Sequence, residues 1–248
     1  NGTTLNGTGS VRLGGADNVE LRSMTGGGLD ELTNGVNHTI HGGGRLGAGA
    51  LVLTNHGLID ANIASTALTA DPSNAWTNFG TMQASGGGIL RLQGGTFNNS
   101  GIIQALDGSR VEFSGAPGVR ATVIGGTLDA SGSGEFVVDN NHGGALGGTI
   151  TNNAPIRIAS TGSVASIRAA NGTVLNGTGS IALGGTDNDW FYGLSSDGTS
   201  AITNGPMHTF SGGGRLGADE MVMHNQGLID ANLNGIALTV DPSQADRK

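Results

Sequence analysis

Residues 42–73 read GGGRLGAGALVLTNHGLIDANIASTALTADPS, and residues 212–243 read GGGRLGADEMVMHNQGLIDANLNGIALTVDPS. The offset of 170 residues holds without insertion back to the first residue, where Asn1–Gly15 (NGTTLNGTGSVRLGG) returns as Asn171–Gly185 (NGTVLNGTGSIALGG). About 40 of the 73 aligned positions between 1–73 and 171–243 are identical. A chain that repeats itself at this level is built by stacking like units, and the unit names the architecture.

A shorter period lies inside the long one. Thr54–Ala61 (TNHGLIDA) is echoed by Thr77–Ala84 (TNFGTMQA) and Asn98–Ala105 (NNSGIIQA), and more loosely at 123–130, 152–158, 178–183, 203–209 and 225–231. The steps run about 21 to 28 residues, and seven of them fill the 170-residue period. Each step carries a second short run, such as Ile89–Leu92, Ser109–Phe113, Glu135–Val138 or Ala237–Val240. Apolar alternation over four to six residues, closed by Gly, Asn, Asp or Ser, is a strand-and-turn signature. The single helix-permissive piece is Gly28–Asn34 (GLDELTN), one turn long.

Strands at this spacing fit a sandwich, a barrel or a β-solenoid. A sandwich gives no reason for near-equal units to recur in register. A solenoid requires it, because each coil hydrogen-bonds to the next about 4.8 Å away and like side chains stack. The expectation is therefore an all-β, right-handed parallel β-helix of about 10 coils, spanning 1–248 as one segment of a longer protein. The start at Asn1, inside a repeat and without Met, carries the same expectation. Composition agrees: 48 Gly with only 5 Pro is no collagen, and 4% aromatic residues leave a narrow core of small aliphatic side chains.

At this point the residues carry a family resemblance. Trp76–Ala116 (WTNFGTMQASGGGILRLQGGTFNNSGIIQALDGSRVEFSGA) resembles the NN-x-G-x-I-x-A…GG-x-L-x-L-x-GG repeats of giant bacterial surface proteins. These are autotransporter passengers and filamentous-haemagglutinin-like exoproteins. The resemblance covers essentially the whole chain and implies a secreted β-helical stalk, extracellular and attached to a bacterial surface.

The net charge of −8 and the absence of any Lys before Lys248 exclude a phosphate-binding surface of grouped cations, so no nucleic-acid partner is expected. No apolar run reaches the roughly 20 residues that span a bilayer as a helix. Candidate chemistry is thin. Asp60 and Asp230 occupy the same place in both copies and read as outward strand residues or turn caps, beside an Asn ladder through Asn62 and Asn232. Asp17-Asn18, Asp187–Asp189 and the two Asp-Pro-Ser turns at 71–73 and 241–243 offer oxygen ligands, without a Ca²⁺-binding nonapeptide. His38, His41, His56, His142, His208 and His224 lack metal-ligand spacing and read as surface or turn histidines. Six N-x-S/T triplets arise from the Asn-Gly-Thr turn habit. Trp76, opening a regular unit, is expected at a coil corner.

Acid clusters on consecutive coils, which a polysaccharide lyase or hydrolase needs, are not apparent; Arg45 and Arg215 repeat beside Gly-rich segments, and Arg91, Arg110 and Arg120 are scattered. No catalytic residue, cofactor or metal site is expected. The copies differ most where Glu20-Leu21-Arg22 becomes Trp190-Phe191-Tyr192. Adjacent aromatics in an aromatic-poor chain suggest a contact platform for a glycan or a protein partner, or a flank packed on the coils. Three functions follow in order: a structural or adhesive stalk that stacks end to end into a fibre, a carbohydrate-binding module centred on Trp190, Phe191 and Tyr192, and a polysaccharide-cleaving enzyme.

Overall fold

Alternating Ile, Leu and Val in four- and five-residue runs can bury one face only if like runs lie beside them, and the chain arranges them so. The computed structural model describes residues 2–16, 18–24, 30–72, 74–115 and 119–243. Parallel strands wind into a β-solenoid of about nine turns, a parallel β-helix, and no helix occurs among the described residues. The chain falls into two compact units, one of residues 1–112 with 126–135 and the other of 113–125 with 136–248.

In the first unit, three parallel ladders form the sides of the coil. The first joins Gly2–Leu5, Asp30–Asn34, Leu51–Asn55, Ala75–Asn78 and Thr96–Asn99. The second joins Ser10–Gly14, the first half of Thr39–Gly47, Leu58–Ala61, Thr81–Ala84, Ile102–Ala105 and residues 127–130. Its inward positions stack as Ile40, Ile59, Met82, Ile103 and Leu128, all buried. The third joins Glu20–Arg22, residues 45–47, Ala67–Ala70 and Ile89–Leu92. Each fully buried aliphatic side chain in such a stack contributes about 1.5–3 kcal/mol of transfer free energy. Thr39–Gly47 serves two ladders by bending at its glycines: Gly42 has φ 115°, and a Cβ there would sit 2.0 Å from the Leu13 carbonyl oxygen. The GGGRLG motif is thus a close-packed corner.

The second unit repeats the scheme. Residues 143–146, Ala165–Ala169, Asp189–Gly193 and residues 215–217 form one ladder. Residues 149–151, Thr173–Asn176, Ser200–Asn204 and Met221–Asn225 form another. In the third, Phe136, Ile156, Ile181, Phe210 and Ile229 stand in register.

Two local expectations need correction. Asp30–Asn34 is a strand, not a helical turn, and Gly28 and Leu29 lie outside the described residues. Pairing on both sides, with Leu32 and Asn34 turned inward, overrides the weak local helix preference. Trp76 lies within the strand Ala75–Asn78 rather than at a corner. It is 1% exposed, packs edge-on against Phe97 at 5.8 Å and donates its Nε1 hydrogen to the Leu51 carbonyl at 2.9 Å.

Candidate functional site

In the first unit a recurring asparagine, followed by x-Gly at Asn55, Asn78 and Asn99, builds a buried polar column. Asn34 Nδ2 donates to Asn55 Oδ1 at 2.8 Å, Asn55 Nδ2 to Asn78 Oδ1 at 2.7 Å, and Asn78 Nδ2 to Asn99 Oδ1 at 2.8 Å. The glycine next to each asparagine approaches the preceding coil: a Cβ on Gly57, Gly80 or Gly101 would lie 2.3, 2.3 and 2.1 Å from the carbonyl oxygen of the preceding glycine in the column. The ladder therefore runs through Asn34, Asn55, Asn78 and Asn99, not through Asn62 and Asn232, which are exposed. Asn62 alternates with the wrong face.

His38 and His208 each close a turn, donating their amides to Gly35 and Gly205, but both side chains are buried against the column and not on the surface. Leu175 stands opposite Asn204, where an asparagine would otherwise continue the column. His208 closes the gap: Asn152 Nδ2 donates to its Nε2 at 3.1 Å, and its Nδ1 faces Asn204 Oδ1 at 2.7 Å. The chain of donors runs on to Asn225, which fixes a neutral imidazole protonated at Nδ1. Burial lowers the His208 pKa from 6.5 to about 4. Above pH 6.5 both folded and unfolded forms are neutral; between 6.5 and about 4 the unfolded form alone takes the proton, so stability is lost as pH falls through that window. Urea unfolding should show a loss on the order of 3 kcal/mol across it, largely absent in His208→Gln. A flat profile over the same range would contradict the neutral splice.

The GLIDA aspartates hold the same register, Asp60 opposite His41 and Asp230 opposite Ser211, but Asp60 is buried and Asp230 half-buried. Asp60 is 8% exposed and accepts from Ser85 Oγ at 2.8 Å, in register with Gln83 and Gln104, whose amides also pair at 2.8 Å. A polar outward row explains these positions without chemistry. Of the oxygen-rich turns, Asp17 and Ser73 lie outside the described residues, as does Lys248. Asp71 pairs with Arg45 at 3.1 Å, and Asp189 is buried, accepting from the Ser160 and Thr186 amides. Among the described residues no group of three His, Cys, Asp or Glu is placed to hold a metal, and no helix could cross a membrane.

The strand Asp189–Gly193 separates the three adjacent aromatics by alternation. Phe191 points inward, is fully buried and packs on Phe210 at 4.7 Å. Trp190 and Tyr192 share the outer face, with centroids 5.5 Å apart. Arg168 covers the Tyr192 ring at 4.2 Å, which leaves Tyr192 4% exposed; Arg215 stands 5.4 Å from the Trp190 ring. The indole is tethered by its Nε1 hydrogen to the Asp187 carbonyl. In register across the sheet stand Gly143, Ser166, Trp190 and Arg215. Over the two small residues lies a cleft of about 360 Å³, walled by Trp190 and Tyr192 on one side and by Arg120 and His142 on the other.

The first copy carries charged side chains at the matching positions. There Glu20 holds Arg22 at 3.2 Å and Arg45 at 3.9 Å, and Asp71 holds Arg45 at 3.1 Å. Replacing Glu20 by Trp190 removes a carboxylate yet keeps the arginine as Arg215, which forms no ion pair among the described residues. Arg120, Ser166 and Arg168 were not singled out for this site by the sequence; the kept arginine beside a lost glutamate was the available signal.

Comparison with protein-family models, curated proteins and solved structures finds no match, so the fold and this cleft are the basis for function.

Proposed function

We propose that this chain is a structural, adhesive segment of a bacterial surface protein, exposed outside the cell, and that it is not an enzyme. The observation that carries the reading is the recurrence of one device. Every Asn-x-Gly step of the first unit adds a rung to the same column, and the second unit rebuilds it through Asn152, His208, Asn204 and Asn225. Residues repeated in this way serve coil stacking, whereas a catalytic site is a local exception. Backbone ladders along the coil axis resist extension, and a solenoid coil with an unpaired edge accepts another coil, which supports end-to-end association of copies. The resemblance to autotransporter-passenger and filamentous-haemagglutinin-like repeats supports the location.

The test is labelling of intact cells that make the parent protein, using antibody raised against this chain. Labelling of unpermeabilised cells is the expected result. Label that enters only after permeabilisation would overturn the extracellular assignment, and release of new reducing ends from a panel of acidic and neutral polysaccharides would overturn the non-enzymatic one.

A further inference from the structure

The cleft beside Trp190 departs from the repeat pattern, and its chemistry is specific. Its floor is Gly143 and Ser166, small enough to let a ring approach the sheet. A Cβ built on Gly143 would lie 3.6 Å from both Arg120 Cγ and Ser166 Oγ, so the glycine leaves open the space between them. One wall is the half-buried indole of Trp190, held in orientation by its hydrogen bond to Asp187. The opposite wall is Arg120, whose Nε is shielded from solvent without a hydrogen-bond partner and which makes no ion pair among the described residues. The Nε of Arg110 and Arg168 are shielded in the same way, so the donors that Arg120 offers to an acceptor in the cleft are its terminal nitrogens.

Charge sets the ligand class. Arg168 and Arg215 add positive charge behind the aromatics, partly offset by Glu220, 3.8 Å from Arg168. Asp187 and Asp189 flank Trp190 in the chain, but the lining of the cleft itself carries Arg120 and no carboxylate. Long polyanions are repelled by the chain as a whole, while one acidic group at the cleft is drawn in. A guanidinium fork matches a planar carboxylate through two parallel hydrogen bonds, and the flat indole matches the apolar face of a sugar ring. The volume is within the range of small-ligand sites.

We infer that the cleft between Arg120 and Trp190 binds an acidic saccharide, a sugar ring bearing a carboxylate. The ring lies against Trp190 over Gly143, its carboxylate meets Arg120, and the Ser166 hydroxyl takes a ring hydroxyl. This goes beyond the scaffold role and stands or falls separately from it.

The experiment is calorimetric titration of the full chain with a trigalacturonide and with its fully methyl-esterified form, which keeps the ring and loses the charge. The acid should bind, and the ester should bind about ten- to hundredfold more weakly, the worth of a charge-assisted hydrogen bond. Arg120→Gln should weaken the acid and leave the ester unchanged. Trp190→Glu puts the residue of the first copy at this outward-facing position, next to Arg215, and the added carboxylate should abolish binding. Gly143→Leu fills the floor without removing any contact group and should also abolish it, with an unchanged circular dichroism spectrum in both cases. No heat from either saccharide, equal affinity for acid and ester, or undiminished binding by Trp190→Glu would each overturn the assignment.

Discussion

Gly101→Ala should destabilise the protein by about 3 kcal/mol or more, seen as a drop in urea midpoint with unchanged slope. The added Cβ would stand 2.1 Å from the Gly80 carbonyl oxygen and 2.8 Å from the Phe79 carbonyl carbon. Both obstacles are backbone of the preceding coil, so no side chain can rotate away and the rungs must separate. Because Gly101 does not have a positive φ, the cost is steric and not conformational. Gly147→Ala provides the contrast. It too lacks a positive φ and lies in the strand Gly143–Asn152, and its Cβ would make ordinary contacts at 3.5 Å with Ile124 and 3.6 Å with Ala170. That substitution should be neutral or stabilise by about 0.5 kcal/mol through the unfolded chain. Equal effects at the two sites would show that the Gly column does not set coil spacing.

The second large effect is expected at Asn55, which is fully buried. Its amide donates to Asn78 Oδ1 at 2.7 Å and reaches the Thr81 carbonyl at 3.1 Å, while its Oδ1 accepts from Asn34 at 2.8 Å. Leucine has nearly the same volume but leaves these three partners facing an apolar group. At about 1–3 kcal/mol for each buried polar group left unpaired, Asn55→Leu should cost about 3–5 kcal/mol. Asn78→Leu should cost a similar amount, and the double variant less than the sum, because one broken column is counted twice. Asn62→Leu, on an exposed position of the same segment, should change stability by no more than about 0.5 kcal/mol. Strict additivity of Asn55→Leu and Asn78→Leu would contradict a connected ladder.

The architecture was legible in the sequence because stacking demands periodicity, and periodicity is visible without coordinates. The echo of TNHGLIDA in TNFGTMQA and NNSGIIQA already aligns Ile59, Met82 and Ile103, which are the residues that stack. Which polar residue forms the column was harder to see. Asn55 and Asn62 flank the same strand and recur equally well in the two copies; only strand direction and the turn between them decide which is inside. Two of the six histidines, His38 and His208, are buried against a surface expectation for a related reason. His208 is explained by a leucine at 175, a gap one coil away that has meaning only once register is known. The three adjacent aromatics were visible as the point of greatest divergence, but adjacency in a strand means opposite faces, so Phe191 joins the core while Trp190 and Tyr192 stay outside. Arg120 comes from 70 residues before Trp190, and no local pattern could join the two.

The central claim is that the repeated Asn-x-Gly signature specifies coil stacking and not surface chemistry. Hydrogen exchange of asparagine side-chain amides, followed by NMR, reads this directly. The Nδ2 hydrogens of Asn55 and Asn78 should be protected like the backbone amide of Ile59 in the same stack, while those of Asn62 exchange as freely as in a short peptide. Exchange of Asn78 at the rate of Asn62 would contradict the account.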